Sequence, residues 1–270
     1  MTTPFARPTK SLGQHFLVDK RVLSRISRAA DLSSQELVIE IGPGRGILTR
    51  HLSERAGRVI AIELDDALAD RLTAEFADRP NVEIVHADAR ELDLDTLLPP
   101  DVPYKVAANL PYYAALPILR RFLEAEHKPE RMVVMVQREV ARKIAAPPGE
   151  MGLVSVAVQL YGRPRILSYV PPKAFRPAPK VTSAILRIDV YIKSALVLDS
   201  ETKFFELVKA GFSAPRKQLR NCLRNGLSLD TGPVNAMLLS AGVDPTRRPQ
   251  TLSIEEWGTL YREWTTLVPS

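Results

Sequence analysis

The 270-residue sequence predicts an α/β fold, a doubly wound open sheet followed by a small all-helical C-terminal domain. Three observations carry this. Short apolar runs end at glycines or acids, segments of helical period separate them, and the strand signals stop near residue 192. With 45% hydrophobic residues the chain can bury a full core.

In order, Val22, Leu23, Ile26 and Ala30 recur at helical spacing behind Asp19, which suits an N-cap. Leu37–Ile41 and Val59–Glu63 then read as buried parallel strands. Ile47 to Glu54 supplies a short helix between them, and Leu68, Leu72 and Phe76 mark the next. The rhythm continues through strands at 82–85, 104–108 and 132–136, and right-handed crossovers would wind these into an open sheet. A helical stretch runs from Gly152 through Gln159. Arg165–Tyr169 and Ser183–Asp189 follow as an expected hairpin at the sheet edge, joined by a proline-rich loop. Phe204–Phe212, Arg216–Leu223, Val234–Leu239 and Ile254–Trp264 suit helices, so the expected domains are 1–192 and 193–270.

Lys and Arg number 37 against 31 Asp and Glu, an excess that suits an anionic partner. The lone Cys222 rules out an internal disulfide framework and fits a reducing, cytoplasmic setting. Met1–Lys10 has no apolar stretch behind its basic residues, and no run of about 18 apolar residues occurs, so no membrane association is expected. His15, His51, His86 and His127 are scattered without ligand spacing, so no metal is expected.

The chemistry concentrates at strand ends. Glu40-Ile41-Gly42-Pro43-Gly44-Arg45-Gly46 is a glycine loop in which backbone can bend tightly against a ligand. A dinucleotide fingerprint would need a third glycine at position 47, which is Ile, so a nicotinamide dehydrogenase fits poorly. S-adenosylmethionine asks for other groups. Glu63, ending the second strand, can accept from two ribose hydroxyls, and Asp88, after the third, can accept from an adenine amine. Either acid alone could equally be a helix cap or a solvated charge, but a glycine loop and two acids at successive strand ends point to one crevice.

Asn109-Leu110-Pro111-Tyr112 follows the fourth strand into the same crevice. An adenine amino nitrogen is a poor nucleophile because its lone pair is delocalised, and two acceptors holding its hydrogens favour attack. The Asn109 side-chain oxygen and the Leu110 carbonyl can be those acceptors, Pro111 keeping Leu110 extended, with Tyr112 as a stacking face. Phe175, in the loop Pro171–Lys180, offers a second wall for a flipped base. For Tyr112 and Phe175 the alternative is ordinary core packing. Arg163, Arg165, Lys173, Arg176, Lys180 and Arg187 lie in an acid-free stretch, and Arg216, Lys217, Arg220 and Arg224 form a second basic run on an expected helix. Arg176, Lys180 and the second run are candidates for RNA phosphates.

These residues resemble the ribosomal RNA adenine dimethyltransferases of the KsgA type. The resemblance runs nearly end to end, through Gly13-Gln14-His15-Phe16-Leu17, Ile41–Gly46, Ile62-Glu63, Asp88-Ala89, Asn109–Tyr112, Phe175–Val181, Phe212–Leu223 and Thr251-Leu252-Ser253. It implies a Rossmann-like methyltransferase domain using S-adenosyl-L-methionine, held by His15, Leu17, Gly42, Gly44, Glu63, Asp88 and Asn109. It implies dimethylation at N6 of two adjacent adenosines near the 3′ end of 16S rRNA, in the small ribosomal subunit or its precursor, and a part in subunit maturation. The C-terminal domain would contact RNA or the ribosome, and a monomer is the expected state. Many members carry Asn where this chain has His15, which can still donate to or accept from the cofactor. Cofactor affinity is expected to change little from about pH 8 to about pH 6 on that account. Two alternatives remain: a large-subunit rRNA methylase of the macrolide-resistance type, and a non-catalytic assembly factor, against which intact Glu63, Asp88 and Asn109 argue.

Overall fold

The structure, a computed structural model, describes residues 15–99 and 102–267. Gly13 and Gln14 of the entry motif, and the Met1–Lys10 segment, lie outside the described residues. The chain divides into two compact units, Met1–Ala141 with Arg163–Ile192, and Arg142–Gly162 with Lys193–Ser270.

The first unit begins with β1 (Phe16–Leu17) and α1 (Lys20–Ala30). Asp19 caps α1, its side chain accepting from the Arg21 amide, and Val22, Leu23, Ile26 and Ala30 are all buried as their spacing requires. There follow β2 (Leu37–Ile41), α2 (Ile47–Ser53), β3 (Arg58–Glu63), α3 (Asp66–Glu75), β4 (Val82–His86), α4 (Leu94–Leu97), β5 (Tyr104–Asn109), α5 (Ala115–Leu123), β6 (Arg131–Gln137) and the start of α6 (Arg138–Ile144). β2 and β6 are apolar throughout except for Glu40 and their ends, because both sheet faces are covered. After the short helix α7 (Leu153–Gln159) come β7 (Gly162–Val170), β8 (Phe175–Arg176) and β9 (Ser183–Val190).

Seven strands form one sheet in the order β4-β3-β2-β5-β6-β9-β7. β2 to β6 are parallel, while β9 runs antiparallel beside β6, with Ile185 opposite Met135. The strand order reverses between β2 and β5, so the carboxyl ends of β2, β3, β4 and β5 surround the crevice expected of an open α/β sheet. The segments expected as an edge hairpin lie side by side, β7 at the margin and β9 inserted between it and β6. A further pair, β1 with β8, is antiparallel with Leu17 opposite Phe175.

The second unit holds α7, α8 (Glu201–Gly211), α9 (Leu219–Gly226), α10 (Thr231–Ser240) and α11 (Ile254–Leu267). Residues 142–162, expected with the first domain, belong here. The Gln159 amide donates to the Ile144 and Ala146 carbonyls, the Ala195 amide to Leu160 O, the Gly149 amide to Gln250 O, and the Tyr161 hydroxyl to Glu201. One basic element also differs from expectation. α9 begins at Leu219 and not at Arg216, because Gln218 is extended and the Leu219 amide donates to Arg247 O. Arg220 and Arg224 share a helix face, whereas Arg216 and Lys217 lie in the preceding turn.

Candidate functional site

The crevice is a half-open cavity at the carboxyl ends of β2 to β5. It is lined by the glycine loop, the ends of β3 and β5, the turn after β4 and the entry segment at His15–Leu17.

Gly44 and Gly46 both have positive φ, +58° and +70°. That turn aims the Gly44 amide at Glu63 Oε2, 2.9 Å away. A Cβ on Gly46 would lie 2.8 Å from Leu72, and one on Gly44 would lie 3.0 Å from the Phe16 ring. The Arg45 guanidinium sits over the Phe16 ring, 4.4 Å from its centroid. Glu63 Oε1 accepts from the Leu64 and Asp65 amides at 3.0 Å. Burial holds the Glu63 carboxyl above its usual range, the three amides opposing that rise. Three amides on a group with about four acceptor directions leave room for a ligand donor.

Asp88 lines the cavity and is ion-paired with Arg90, whose side-chain hydrogen bonds keep its carboxyl below the usual range. An adenine amine would therefore meet an ionised acceptor already shared with a guanidinium.

Asn109, at the end of β5, donates its amide nitrogen to His15 O at 3.1 Å. This fixes which end of the amide is which, and Oδ1 is the end left to accept. Leu110 is buried and lines the cavity, its own amide donating to Met135 O. The Tyr112 ring lines the cavity and lies 5.8 Å from the His15 ring, and its hydroxyl is held by Ser183 Oγ at 2.6 Å. His15 Nδ1 donates to Pro177 O at 2.9 Å, a carbonyl having no proton to give, so Nε2 is the acceptor of the neutral ring.

Of the candidates, His15, Leu17, Gly42, Gly44, Glu63, Asp88, Asn109, Leu110 and Tyr112 all line this one cavity. Phe175 does not. Its side chain is 1% exposed and packs in the core cluster with Leu17, Val22, Ile26 and Ile185, placed there by the β1–β8 pairing. The second wall for a base is thus not this ring in this conformation. Arg176 and Lys180 are exposed on the same loop, while Arg216, Lys217, Arg220 and Arg224 belong to the second unit. The sequence reading gave no role to Glu40, which lies on the cavity wall. Its one legible signal was an acid inside an otherwise apolar strand.

A twisted parallel sheet with an antiparallel penultimate strand, and a glycine loop backed by an acid at the end of the neighbouring strand, define a Rossmann-like methyltransferase. The chain belongs to the ribosomal RNA adenine dimethylase family, whose model matches residues 6–266. It is 49% identical over 255 residues to ribosomal RNA small subunit methyltransferase A of Dehalococcoides mccartyi, covering 94% of this chain and 88% of that one. The protein of the same name from Alkaliphilus metalliredigens is 43% identical over 263 residues, 95% and 92% of the two chains. Among solved structures, the 23S rRNA methyltransferase ErmE superposes with a TM-score of 0.73 at 29% identity, covering 92% of this chain and 98% of that one. A dimethyladenosine transferase from Plasmodium falciparum shares the fold, with a TM-score of 0.81 at 22% identity over 93% and 98% of the chains.

Proposed function

We propose that this protein is an S-adenosyl-L-methionine-dependent methyltransferase that dimethylates N6 of two adjacent adenosines near the 3′ end of 16S rRNA, during small-subunit biogenesis. The observation that carries the reading is the Asn109 amide, its nitrogen held by His15 O and its oxygen left to accept, in the same cavity that Glu63 lines. The cofactor, when bound, supplies a methyl group made electrophilic by a sulfonium. The residues present fit it: Glu63 has acceptor capacity left, the glycine loop admits close approach, and Glu40 Oε2 is a buried oxygen without a hydrogen bond in the protein. His15, Leu17, Gly42, Gly44, Glu63, Asp88 and Asn109 would hold it.

Asn109 Oδ1 and the Leu110 carbonyl accept the two hydrogens of the target amine, drawing the nitrogen lone pair out of conjugation and fixing its direction of attack. Tyr112 stacks on the base, anchored by Ser183. No strong base is required, and the rate comes from orientation and placed dipoles. Arg176, Lys180, Arg216, Lys217, Arg220 and Arg224 bind RNA phosphates. The protein acts in the cytoplasm as a monomer, on 16S rRNA within the small subunit or its precursor.

The likeness to ErmE, at 29% identity, supports a second reading in which large-subunit RNA is the substrate. Labelled methyl transfer to under-methylated small subunits and to protein-free large-subunit RNA separates the two. Label in small subunits alone supports the first, and label in large-subunit RNA alone supports the second.

A further inference from the structure

β7 is the strand at the margin of the sheet. Along it Arg163, Arg165, Leu167 and Tyr169 are exposed, while the alternate residues Pro164, Ile166 and Ser168 are half-buried. Side chains two apart on a strand share a face, so one face of β7 presents two guanidiniums, then an aliphatic group, then a phenol ring. Leu167 is 44% exposed and Tyr169 50%. Charged residues on an edge strand ordinarily guard against sheet-to-sheet pairing. That task does not account for this face: Pro164, which has no N–H to offer, already suits the margin, and a guard has no use for an exposed Leu167 and Tyr169 beside its charges.

The charge on this face has no acid to answer it nearby in the chain. None occurs from residue 151 to residue 188, and the first beyond, Asp189 on β9, is held by Arg131 and Arg187. Arg163 and Arg165 make no ion pair among the described residues. The segment 171–182 that follows β7 adds Lys173, Arg176 and Lys180, all exposed.

We infer that the outer face of β7 is a track for an extended strand of rRNA beside the target, Arg163 and Arg165 holding successive phosphates and Tyr169 stacking on a base. Same-face side chains on a strand recur about every 6–7 Å, close to the step between phosphates of an extended RNA strand. Arginine suits the phosphates, and an exposed aromatic offers any base a face to stack on. An acidic protein surface would match the two arginines but would leave the ring without a task. The track leads toward the reaction site. β7 runs on into 171–182, where Phe175 and Arg176 pair with Leu17 and Phe16 of the cavity wall, and that segment reaches Ser183, which holds the Tyr112 hydroxyl. The inference rests on the protein's acting on rRNA.

The test is binding of the full-length protein to under-methylated small ribosomal subunits over a range of salt concentrations, joined to photo-cross-linking from Leu167→p-benzoylphenylalanine. Arg163→Gln with Arg165→Gln should make the fall of log affinity with log salt shallower by about 1.4, the share of two phosphates on a single strand, and Arg163→Lys with Arg165→Lys should keep the wild-type slope. Tyr169→Ala should weaken binding about fivefold or more, and Tyr169→Phe should not. The cross-link should be to 16S rRNA. Melting temperature and affinity for S-adenosyl-L-methionine should stay at wild-type values in all of these, because the side chains are exposed and line no part of the cavity. Wild-type affinity and slope in the paired glutamine variant and in Tyr169→Ala, or a cross-link to a ribosomal protein, would overturn the track and leave the methyltransferase reading standing. Failure of wild type to bind or methylate small subunits would overturn both.

Discussion

The Asn109 side chain donates to the backbone carbonyl of His15, 94 residues earlier in the chain, at 3.1 Å. One hydrogen bond thus sets the direction of the proposed acceptor and ties the end of β5 to the entry segment, which is itself joined to the proline-rich loop through Pro177. Asn109→Ala should lower single-turnover methyl transfer by about 100-fold or more, the scale seen when one placed catalytic dipole is removed. Asn109→Asp should also be impaired, because a carboxylate cannot donate to His15 O. Transfer by Asn109→Ala within about threefold of wild type would contradict the role.

Gly46 is the N-cap of α2 at φ +70°, and a Cβ there would press on Leu72 and Phe76 at 2.8 and 2.9 Å. Gly46→Ala should destabilise the protein by about 1–2 kcal/mol from the left-handed backbone alone, with the contacts adding more. Thermal unfolding should show a fall of at least about 2–4 °C. An unchanged melting temperature would mean that the loop can refold around the methyl.

Phe175 offers a choice between packing and stacking. Since the ring is 1% exposed within the core cluster, Phe175→Ala should cost about 3–5 kcal/mol of stability in denaturant unfolding. A ring that served only to stack on a base would lower transfer and leave the unfolding midpoint in place.

Glu40 also makes a prediction that needs no ligand. Burial pushes its folded pKa up to about 8, above the unfolded value of 4.5, so the folded state holds the proton more tightly. The Glu40 contribution is fully present below about pH 4.5 and is lost as pH rises through about 8. The difference in unfolding free energy between Glu40→Gln and wild type should therefore grow in favour of Glu40→Gln across that window. A difference independent of pH would show that Glu40 is not held neutral.

Much of this was legible in the sequence because the relevant signals are local. Leu37–Ile41 and Val59–Glu63 are largely apolar runs of strand length, and a parallel sheet puts their carboxyl ends together, so sequence alone assigns Gly44 and Glu63 to one crevice, where the structure joins them at 2.9 Å. What escaped was non-local. β1 and β8 are two residues each, too short to show a period, and their pairing spans the distance from Leu17 to Phe175. That pairing is what buries Phe175. The end of the strand signals near residue 192 puts residues 142–162 with the first domain, whereas their carbonyls and amides bind partners such as Ala195 and Gln250 far along the chain. Arg216 was put on a helix by basic spacing, and the extended Gln218 decides otherwise. In Glu40 the sequence shows the residue but not its isolation, which depends on what the two sheet faces leave unpaired.

The central claim is tested most directly by incubating the protein with S-adenosyl-L-methionine carrying a labelled methyl group and under-methylated small ribosomal subunits, then digesting the rRNA to nucleosides. The account predicts labelled N6,N6-dimethyladenosine, with four methyl groups per subunit at completion if two adenosines each receive two. Binding of cofactor and subunits without labelled dimethyladenosine would contradict it.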